Sequence, residues 1–400
     1  MANCSTRLTA MLHIILLIVV MSITGFHFVR QVESLGINYG QVGNNLPQPQ
    51  IVLQLLRSLK ITKARIYDTN PQVLTAFANS GVSLIVTIEN DMLATIMDQQ
   101  QALQWITNHI KPYVPDTKIT GIAVGNEVFT GDDISLIDKL VPAIISIHKA
   151  LVYLGLDQSI RVSTPSSLAV LANSFPPSAG CFQPELNEIM TQFLHFLSNT
   201  KSPFWINAYP YFAYKDDPSG IPLNYVLFNT NNGMIDPHTK LKYDNMLYAQ
   251  VDAVVYAMAR LGFGGIEVKV SETGWPSQGD PNEVGATATN AAIYNRNLLR
   301  RQMKNEGTPL KPKLKLDVYL FALFNEDMKP GPASERNYGL YEPDLTMAYN
   351  VGLSPSTSTA TISLTSTADN LVPKMNHCCL IYTMFIHMLA LQVFVRRHIN

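Results

Sequence analysis

The chain has 400 residues, of which 47% are hydrophobic and only 15% are charged. This composition excludes a disordered chain and is sufficient for a large core, and the length fits two or three domains or one α/β barrel of roughly 250 residues or more. The 29 basic residues oppose 30 acidic ones, so the net charge of −1 excludes the broad positive surface that nucleic-acid binding usually needs and suits a neutral substrate.

The N-terminal residues 1–34 have the features of a secretory signal peptide. Arg7 precedes an apolar run from Met11 to Ile23, and a suitable cleavage site follows at Val32–Ser34. The apolar run is shorter than the roughly 20 residues that a membrane span needs, which argues against a transmembrane anchor at this end. We therefore predict that residues 1–34 direct the chain into the secretory pathway.

The C-terminal end has the order of segments that is typical of a glycosylphosphatidylinositol (GPI) attachment signal. Residues 354–377 are a Ser/Thr-rich linker and polar spacer, and residues 378–400 contain a hydrophobic tail. Small residues at Ser366–Ala368 provide the expected attachment site. The sequence therefore predicts a lipid anchor that tethers the protein to the plasma membrane.

A transmembrane helix is the alternative for this tail, because Arg396 and Arg397 follow it as the positive-inside rule requires for a single span. Both alternatives place the main domain outside the cell. Three of the four cysteines lie in the two end segments, which leaves Cys181 alone in the main domain and argues against a disulfide framework.

Between the two ends, residues 35–353 alternate short runs rich in Val and Ile with longer amphipathic segments. We predict eight strands, in chain order at Leu35–Tyr39, Ala64–Tyr67, Ser83–Ile88, Ile119–Val124, Ile160–Ser163, Phe204–Ala208, Glu267–Ser271 and Asp317–Phe321. The clearest helix between them is Tyr243–Leu261, with apolar residues three and four positions apart and Gly262 as its C-cap.

Eight strands that alternate with helices predict an α/β fold of the (β/α)8 TIM-barrel type, formed by one catalytic domain. An open sheet with an extra lobe is the alternative. The glycines at 36, 40 and 43 do not follow the G-x-G-x-x-G pattern of dinucleotide-binding loops. The segment from Pro210 to Asn245, rich in Pro, Asn and aromatic residues, is predicted to form an excursion after the sixth strand that shapes a binding face.

Two glutamates follow predicted barrel strands at the end where TIM barrels carry their active sites. Glu127 ends the fourth strand and Glu272 ends the seventh, and strands three positions apart can direct both side chains across the same mouth. A single glutamate at such a position is usually a surface or capping residue. A matched pair instead fits the two carboxyl groups that cleavage of a glycosidic bond requires.

The sequence motifs around these strand ends carry a family resemblance. They are Val124-Gly125-Asn126-Glu127, Ser271-Glu272-Thr273-Gly274-Trp275-Pro276 and Phe321-Ala322-Leu323-Phe324-Asn325-Glu326. With them, nearly the whole span from Gly36 to Tyr341 resembles the plant endo-1,3-β-glucanases of glycoside hydrolase family seventeen. The resemblance implies that Glu127 is the general acid/base and Glu272 the nucleophile of a retaining, double-displacement hydrolysis of 1,3-β-glucan.

This mechanism needs different environments for the two glutamates. We expect partial burial and the charge of Glu272 to raise the pKa of Glu127, so that Glu127 holds a proton. Glu272 is expected to be held ionised by hydrogen bonds, with Tyr209 as a donor. A retaining mechanism also requires the two carboxyl groups to lie about 5–5.5 Å apart.

The resemblance also implies substrate-binding residues. Asn126 is expected to bond the sugar 2-hydroxyl. Glu326, Lys329 and Glu335 are expected to pair with one another and with sugar hydroxyls, although an ion-pair cluster that braces the loop explains Lys329 and Glu335 equally well. Aromatic residues near strand ends are expected to stack on glucose units, with core packing as the alternative for each; these are Tyr39, Tyr67, Tyr209, Tyr211 and Trp275.

No metal or cofactor is expected. His148 and His195 lack partners at metal-ligand spacing, and the chain has no Gly-x-Ser-x-Gly elbow of a serine hydrolase. The expected protein is a monomeric hydrolase of 1,3-β-glucan at the extracellular face of the plasma membrane or in the cell wall, without a nucleic-acid partner. A non-catalytic wall-glucan binder, a glucan transferase and a mixed-linkage glucanase are the alternatives.

Overall fold

The computed structural model describes residues 35–352, and a ring of parallel strands forms their centre. The strands, in chain order, are β1 (Leu35–Asn38), β2 (Lys63–Arg65), β3 (Ser83–Ile88), β4 (Ile119–Val124), β5 (Arg161–Ser163), β6 (Pro165–Ser167), β7 (Leu171–Asn173), β8 (Cys181–Phe182), β9 (Phe204–Asn207), β10 (Met234–Ile235), β11 (Lys242–Tyr243), β12 (Val268–Thr273) and β13 (Asp317–Leu320). The α-helices are α1 (Pro49–Ser58), α2 (Pro71–Ala76), α3 (Leu93–Ile96), α4 (Gln99–His109), α5 (Ile137–Tyr153), α6 (Asn187–Thr200), α7 (Pro210–Asp216), α8 (Leu223–Val226), α9 (Met246–Arg260) and α10 (Ala288–Lys304).

Nine of these strands form one sheet in the order β5-β4-β3-β2-β1-β13-β12-β9-β6, and all neighbours are parallel. The first and last members, β5 and β6, are separated in the chain only by Thr164, so the sheet closes on itself. Because β5 pairs with β4 and β6 pairs with β9, the two together occupy one of eight ring positions. The predicted (β/α)8 barrel is therefore confirmed.

Each of the eight predicted strands has a counterpart in the ring. The prediction is least complete at the fifth position, where it covers β5 but ends before β6. The sequence of β6 is Pro165-Ser166-Ser167, which has none of the β-branched or aromatic residues that indicate a strand. This segment is a strand because of its tertiary pairing with β9 rather than because of its local propensity.

The inside of the ring is filled by large side chains that lie against glycines. Trp205 and Tyr319 are both buried in a small cluster that is separate from the main core. A Cβ atom at Gly36 would collide with the Tyr319 ring, and one at Gly121 would press on Trp205. These glycines make room for the two rings, so the barrel interior is a packed core rather than a channel.

The helices cover the outside of the ring, and α9 shows how. Its apolar face is buried as predicted, through Leu247, Val251, Val254 and Met258. The helix begins at Met246 rather than at the predicted Tyr243, because Lys242–Tyr243 forms β11 and pairs with β10. The Asn245 side chain then accepts a hydrogen bond from the Tyr248 backbone N–H, which caps the first turn.

Two segments extend from the carboxyl ends of the barrel strands. The predicted excursion after the sixth ring position contains α7, α8 and the β10–β11 hairpin. A second hairpin, formed by β7 and β8, follows β6. Both segments lie on the side of the barrel where the active sites of this fold are found.

The predicted signal peptide, the linker and the C-terminal tail lie outside the described residues. Between Leu35 and Gly352, no helix combines the length and the apolar character that crossing a bilayer requires.

Candidate active site

A cavity of about 620 Å³ opens at the carboxyl ends of the barrel strands, which is an ordinary size for a ligand site. Glu127 lies just after β4 and Glu272 lies in β12, and both line this cavity. Six other residues that the sequence singled out line it with them; they are Tyr67, Asn126, Tyr209, Glu326, Lys329 and Glu335.

Glu272 is buried and accepts hydrogen bonds from three side chains. Arg65 Nη1 donates to Oε1 over 2.7 Å, and the Tyr67 hydroxyl donates to the same oxygen over 2.8 Å. The Tyr209 hydroxyl donates to Oε2 over 2.8 Å, so the expected donor is present. Glu272 therefore meets donors only, one of them permanently charged, as a carboxylate acceptor requires.

Arg65 links the two halves of the site. It lies at the end of β2 with no exposed surface, and its Nη2 donates to Asn126 Oδ1 over 2.6 Å. A buried charge is costly unless it is paired, and the ion pair with Glu272 supplies that partner. One guanidinium group thus holds both Glu272 and the residue that precedes Glu127.

Glu127 is positioned by a left-handed turn after β4. Gly125 and Glu127 have φ angles of 68° and 54°, and the second is uncommon for a residue with a side chain. Asn90 holds this turn: its Oδ1 accepts from the Asn126 backbone N–H over 2.7 Å, and its Nδ2 donates to the Asn126 carbonyl over 3.1 Å. The Glu127 backbone N–H donates to the carbonyl of Pro165 over 2.9 Å, which ties the turn to β6.

The Glu127 carboxyl group has a different environment from that of Glu272. Asn207 Nδ2 donates to its Oε1 over 2.8 Å, and Ser271 Oγ holds Asn207 by donating to its Oδ1 over 2.7 Å. Burial and, next, the negative charge of Glu272 raise the pKa of Glu127 to about 7, although Asn207 and Arg65 oppose this rise. Glu127 is therefore able to hold a proton near neutral pH, in agreement with the expectation from sequence.

Glu326, Lys329 and Glu335 line the cavity beyond β13. Lys329 Nζ lies 3.4 Å from Glu335 Oε2 and 4.3 Å from the centre of the Phe321 ring. Glu326 is buried, its Oε1 accepts from the Val42 backbone N–H over 2.9 Å, and burial raises its pKa. The expected pairing thus exists between Lys329 and Glu335, whereas Glu326 is held by the main chain.

Tyr39, Tyr211 and Trp275 do not line the cavity. All three are buried, and Tyr211 and Trp275 have no exposed surface. Their rings pack on other aromatic residues: the ring centres of Tyr211 and Trp275 are 5.2 Å apart, and those of Tyr39 and Phe324 are 6.3 Å apart. Because a ring without a free face cannot stack on a sugar, the stacking role expected for these three is corrected to a packing role behind the cavity wall.

Arg65 and Asn207 are site residues that the sequence analysis missed. Both are the last residues of barrel strands, Arg65 in β2 and Asn207 in β9. The sequence signal that the two residues share is a polar side chain, rather than an acidic one, at the carboxyl end of a barrel strand.

The site combines a carboxyl group that is able to hold a proton with a carboxylate that is held by donors, and both face one cavity. This pair of roles is what acid-assisted cleavage of a glycosidic bond requires. Within residues 35–352, no group of three or more His, Cys, Asp or Glu side chains is arranged to hold a metal ion.

Comparison with known sequences shows a match over residues 35–353 to the family model described as Glycosyl hydrolases family 17. Glucan endo-1,3-beta-glucosidase 11 of Arabidopsis thaliana is 51% identical over 321 residues, which cover 80% of this chain and 75% of that protein. Glucan endo-1,3-beta-glucosidase 14 of the same organism is 51% identical over 322 residues, which cover 80% of this chain and 82% of that protein.

Solved structures show the same similarity. CJP38, described as a beta-1,3-glucanase and allergen of Cryptomeria japonica pollen, matches with a TM-score of 0.77 and 42% sequence identity, over 80% of this chain and 98% of that chain. One of two plant beta-glucan endohydrolases described as having distinct substrate specificities matches with a TM-score of 0.73 and 35% identity, over 79% of this chain and 99% of that chain.

Proposed function

The chain belongs to glycosyl hydrolases family 17 and is a glycoside hydrolase, and from this premise we propose that it cleaves internal 1,3-β-D-glucosidic bonds of a callose-type 1,3-β-glucan. The names of relatives that are 51% identical support this choice of linkage. The observation that carries the chemistry is the contrast between Glu127 and Glu272 across one cavity.

The proposed reaction has two steps and retains the configuration of the anomeric carbon. In the first step Glu272 attacks that carbon and forms a covalent bond to the sugar, while Glu127 gives its proton to the departing glycosidic oxygen. In the second step Glu127 takes a proton from water, and the water oxygen attacks the same carbon and releases Glu272. A pKa of about 7 suits Glu127 to both roles, because it must donate a proton first and accept one afterwards.

Neighbouring side chains support the sugar in this proposal. Arg65 occupies the Oδ1 atom of Asn126, which leaves the Nδ2 group of Asn126 for the sugar 2-hydroxyl. Lys329 and Glu335 neutralise each other in the cavity wall, so the pair offers hydrogen bonds to hydroxyl groups without a net charge. This arrangement suits a neutral polysaccharide.

Replacing the proposed nucleophile tests the assignment of Glu272. Glu272→Gln should abolish the release of reducing sugar from a 1,3-β-glucan, because an amide cannot form the glycosyl ester. Glu267→Gln is the matched control: its side chain is 63% exposed just before the same strand, and this variant should keep wild-type activity. Full activity in Glu272→Gln would contradict the mechanism.

A substrate with a good leaving group tests the assignment of Glu127. Glu127→Gln should lose activity on the polymer, but it should still release a burst of phenol from an aryl 1,3-β-glucoside whose phenol departs without a proton. Added azide should then restore turnover, because azide attacks the covalent intermediate without a general base. If Glu127→Gln lost the phenol burst to the same extent as its activity on the polymer, Glu127 would have a role other than general acid/base.

Product analysis from defined 1,3-β-glucan oligosaccharides tests the linkage, the endo mode and the stereochemistry. We expect internal cleavage with the β-anomer released first. Products longer than the substrate would indicate a transferase, cleavage of mixed-linkage glucan alone would change the proposed substrate, and binding without products would indicate a glucan-binding protein.

We also infer that the chain is secreted and held at the outer face of the plasma membrane as a monomer. The apolar run after Arg7 and the order of linker, attachment site and tail support this location. Phosphatidylinositol-specific phospholipase should release a lipid-anchored protein from intact cells, and light scattering of the released protein should give the mass of one chain. Resistance to the enzyme would favour a transmembrane tail.

A further inference from the structure

Asn38 is a buried polar residue behind the catalytic cavity. It is the last residue of β1, it has no exposed surface, and it does not line the cavity. Its Nδ2 donates to the backbone carbonyl of Ser271 over 3.1 Å, and its Oδ1 lies 3.1 Å from the Tyr67 hydroxyl oxygen. Because only the nitrogen of the amide donates, the first bond directs Oδ1 toward Tyr67. Asn38 thus contacts both the residue before Glu272 and one of the donors to Glu272.

The Tyr67 hydroxyl has one hydrogen and two acceptors. Its oxygen lies 2.8 Å from Glu272 Oε1 and 3.1 Å from Asn38 Oδ1, and neither of these oxygens has a hydrogen to give. Hydrogen bonds to an ionised acceptor are shorter and about twice as strong as neutral ones, so the hydrogen belongs to Glu272 while that carboxylate is free. Burial and, next, the charge of Glu272 raise the pKa of Tyr67 well above its ordinary value, so the hydroxyl keeps its hydrogen.

The competition between the two acceptors changes during the proposed reaction. In the first step an electron pair of the Glu272 carboxylate forms the bond to the anomeric carbon, the glycosidic bond breaks, and the proton of Glu127 goes to the departing oxygen. The negative charge of Glu272 is thereby lost, and an equal charge appears on Glu127. The ester is a neutral acceptor, and the charged Arg65 still lies beside its Oε1 atom. In the covalent intermediate, Asn38 is therefore the better acceptor for Tyr67.

We propose that Asn38 is a positioning residue of this reaction: the Tyr67 hydrogen turns from Glu272 to Asn38 when the glycosyl ester forms, and it returns when water releases the ester. No proton is transferred in this motion, because the hydrogen stays on the Tyr67 oxygen and only the hydroxyl group rotates. A buried hydroxyl without an acceptor is unfavourable, so Asn38 stabilises the covalent intermediate relative to the free enzyme. The inference rests on the proposed function, because it takes Glu272 as the nucleophile.

Crystal structures of the wild-type protein, free and trapped as the glycosyl ester, test the motion directly. The probe is a 1,3-β-linked glucobiosyl fluoride in which fluorine replaces the 2-hydroxyl of the reacting glucose, so that the ester accumulates. We expect the distance from Tyr67 to Asn38 Oδ1 to shorten to about 2.7–2.8 Å, the usual value for an O–H···O bond, and the distance to Glu272 Oε1 to lengthen. Unchanged distances in the trapped protein would overturn the inference.

The rates of the two steps give a second test. Asn38→Leu keeps the side-chain volume but removes the acceptor, which destabilises the ester and leaves the Tyr67–Glu272 bond of the free enzyme in place. Hydrolysis of the trapped ester should therefore be about threefold to tenfold faster than in wild type, as expected for one neutral hydrogen bond, and its formation should be no faster. A merely structural defect slows both steps. Slower or unchanged hydrolysis of the ester in Asn38→Leu would overturn the inference.

A matched background controls for the second hydrogen bond of Asn38. Asn38→Leu also removes the donor to the Ser271 carbonyl, and in a Tyr67→Phe background that is the only bond it removes. The faster hydrolysis should therefore disappear when Asn38→Leu is added to Tyr67→Phe. Faster hydrolysis that persists there would arise from the Ser271 carbonyl and would contradict the role of Asn38. The two wild-type crystal structures need no variant, so they decide the question also if Asn38→Leu does not fold.

The same probe separates this inference from the proposed function. Mass spectrometry of the peptides identifies the residue that carries the trapped sugar. If the sugar is not on Glu272, the proposed mechanism fails. If it is on Glu272 and Tyr67 keeps its contact with that residue, only the inference about Asn38 fails.

Discussion

Glu127 and Glu272 are identical side chains at the ends of two barrel strands, but their surroundings differ in the number and charge of hydrogen-bond donors. Glu272 receives three donors, among them the buried guanidinium group of Arg65. Glu127 receives one neutral donor, Asn207, and its pKa is raised to about 7 by burial and by the charge of Glu272. The comparison teaches that the donors around a carboxyl group, and not burial alone, distinguish the proposed proton donor from the proposed nucleophile.

Arg65 connects the two environments. It pairs with Glu272, bonds Asn126 beside Glu127 and opposes the rise in the pKa of Glu127. Arg65 therefore acts on both glutamates, and variants of the hydrogen-bond donors are the most direct test of the contrast between them.

Arg65→Met should have the largest effect, because it leaves the buried Glu272 carboxylate without its charged partner. Removing one partner of a buried ion pair costs about 3–5 kcal/mol, and we expect kcat/KM to fall at least about 100-fold with a lower melting temperature. Lys63→Met is the control in the same strand, since Lys63 pairs with Asp317 outside the cavity and is 26% exposed. Retained activity and stability in Arg65→Met would contradict the central role of Arg65.

Tyr209→Phe should have the next largest effect, because it removes one donor to Glu272 and keeps the ring. A hydrogen bond to a charged group contributes about 1.5–3 kcal/mol, so kcat/KM is expected to fall roughly tenfold to 100-fold. Tyr211→Phe is a matched control, because the Tyr211 hydroxyl is buried and has no hydrogen-bond partner within residues 35–352. Equal activities of the two variants would show that the Tyr209 hydroxyl does not support Glu272.

The pH dependence of kcat/KM tests the Glu127 side of the comparison. Because the proposed mechanism requires a protonated Glu127, kcat/KM on the glucan should fall above pH 7 by about tenfold per pH unit. An aryl glucoside with an acidic phenol does not need that proton, so its bond-cleavage step should stay constant over the same range. If activity fell at the same alkaline pH on both substrates, the group that titrates there would be one other than Glu127.

The same pKa has a consequence for stability. The folded protein binds this proton more tightly than the unfolded chain, whose glutamate has an ordinary pKa of 4.5, so the contribution of Glu127 to stability is largest below that value and is lost as the pH rises through about 7. Glu127→Gln cannot ionise. Thermal unfolding from pH 5 to pH 8 should therefore show the stability of wild type falling relative to this variant.

Asn207→Leu should have the smallest effect. The Asn207 hydrogen bond opposes the rise in the pKa of Glu127, so its removal should move the alkaline limb of kcat/KM to higher pH. The loss of activity at pH 6 should stay below about tenfold, as expected for one neutral hydrogen bond. If the alkaline fall of kcat/KM stayed at the same pH or moved to lower pH, Asn207 would not lower the pKa of Glu127.

The barrel could be predicted because its strands are mostly apolar runs, as expected for a parallel sheet that is buried on both faces. Strands β3 and β4 show this most clearly, with sequences SLIVTI and ITGIAV. Strand β6 could not be predicted, since its Pro-Ser-Ser sequence has no strand propensity and only the pairing with β9 makes it extended. The start of α9 was misplaced for a similar reason, because the β10–β11 pairing takes residues that also fit a helical pattern.

The positions of Glu127 and Glu272 in the cavity could be predicted from the strand ends, but the directions of the aromatic side chains could not. Tyr209 and Trp275 both follow barrel strands, yet Tyr209 borders the cavity and Trp275 is fully buried. Which way such a ring points depends on the packing of the loop around it.

The interruption of the ring at Thr164 has a consequence for assembly. The Glu127 backbone N–H donates to the carbonyl of Pro165, the first residue after that interruption. The backbone of the proposed proton donor is therefore bonded at the junction that completes the ring, and we expect a chain with native helices but an open ring to be inactive. Recovery of hydrolysis after denaturation is accordingly a measure of barrel closure, whereas circular dichroism of the helices reports only on the parts that surround it.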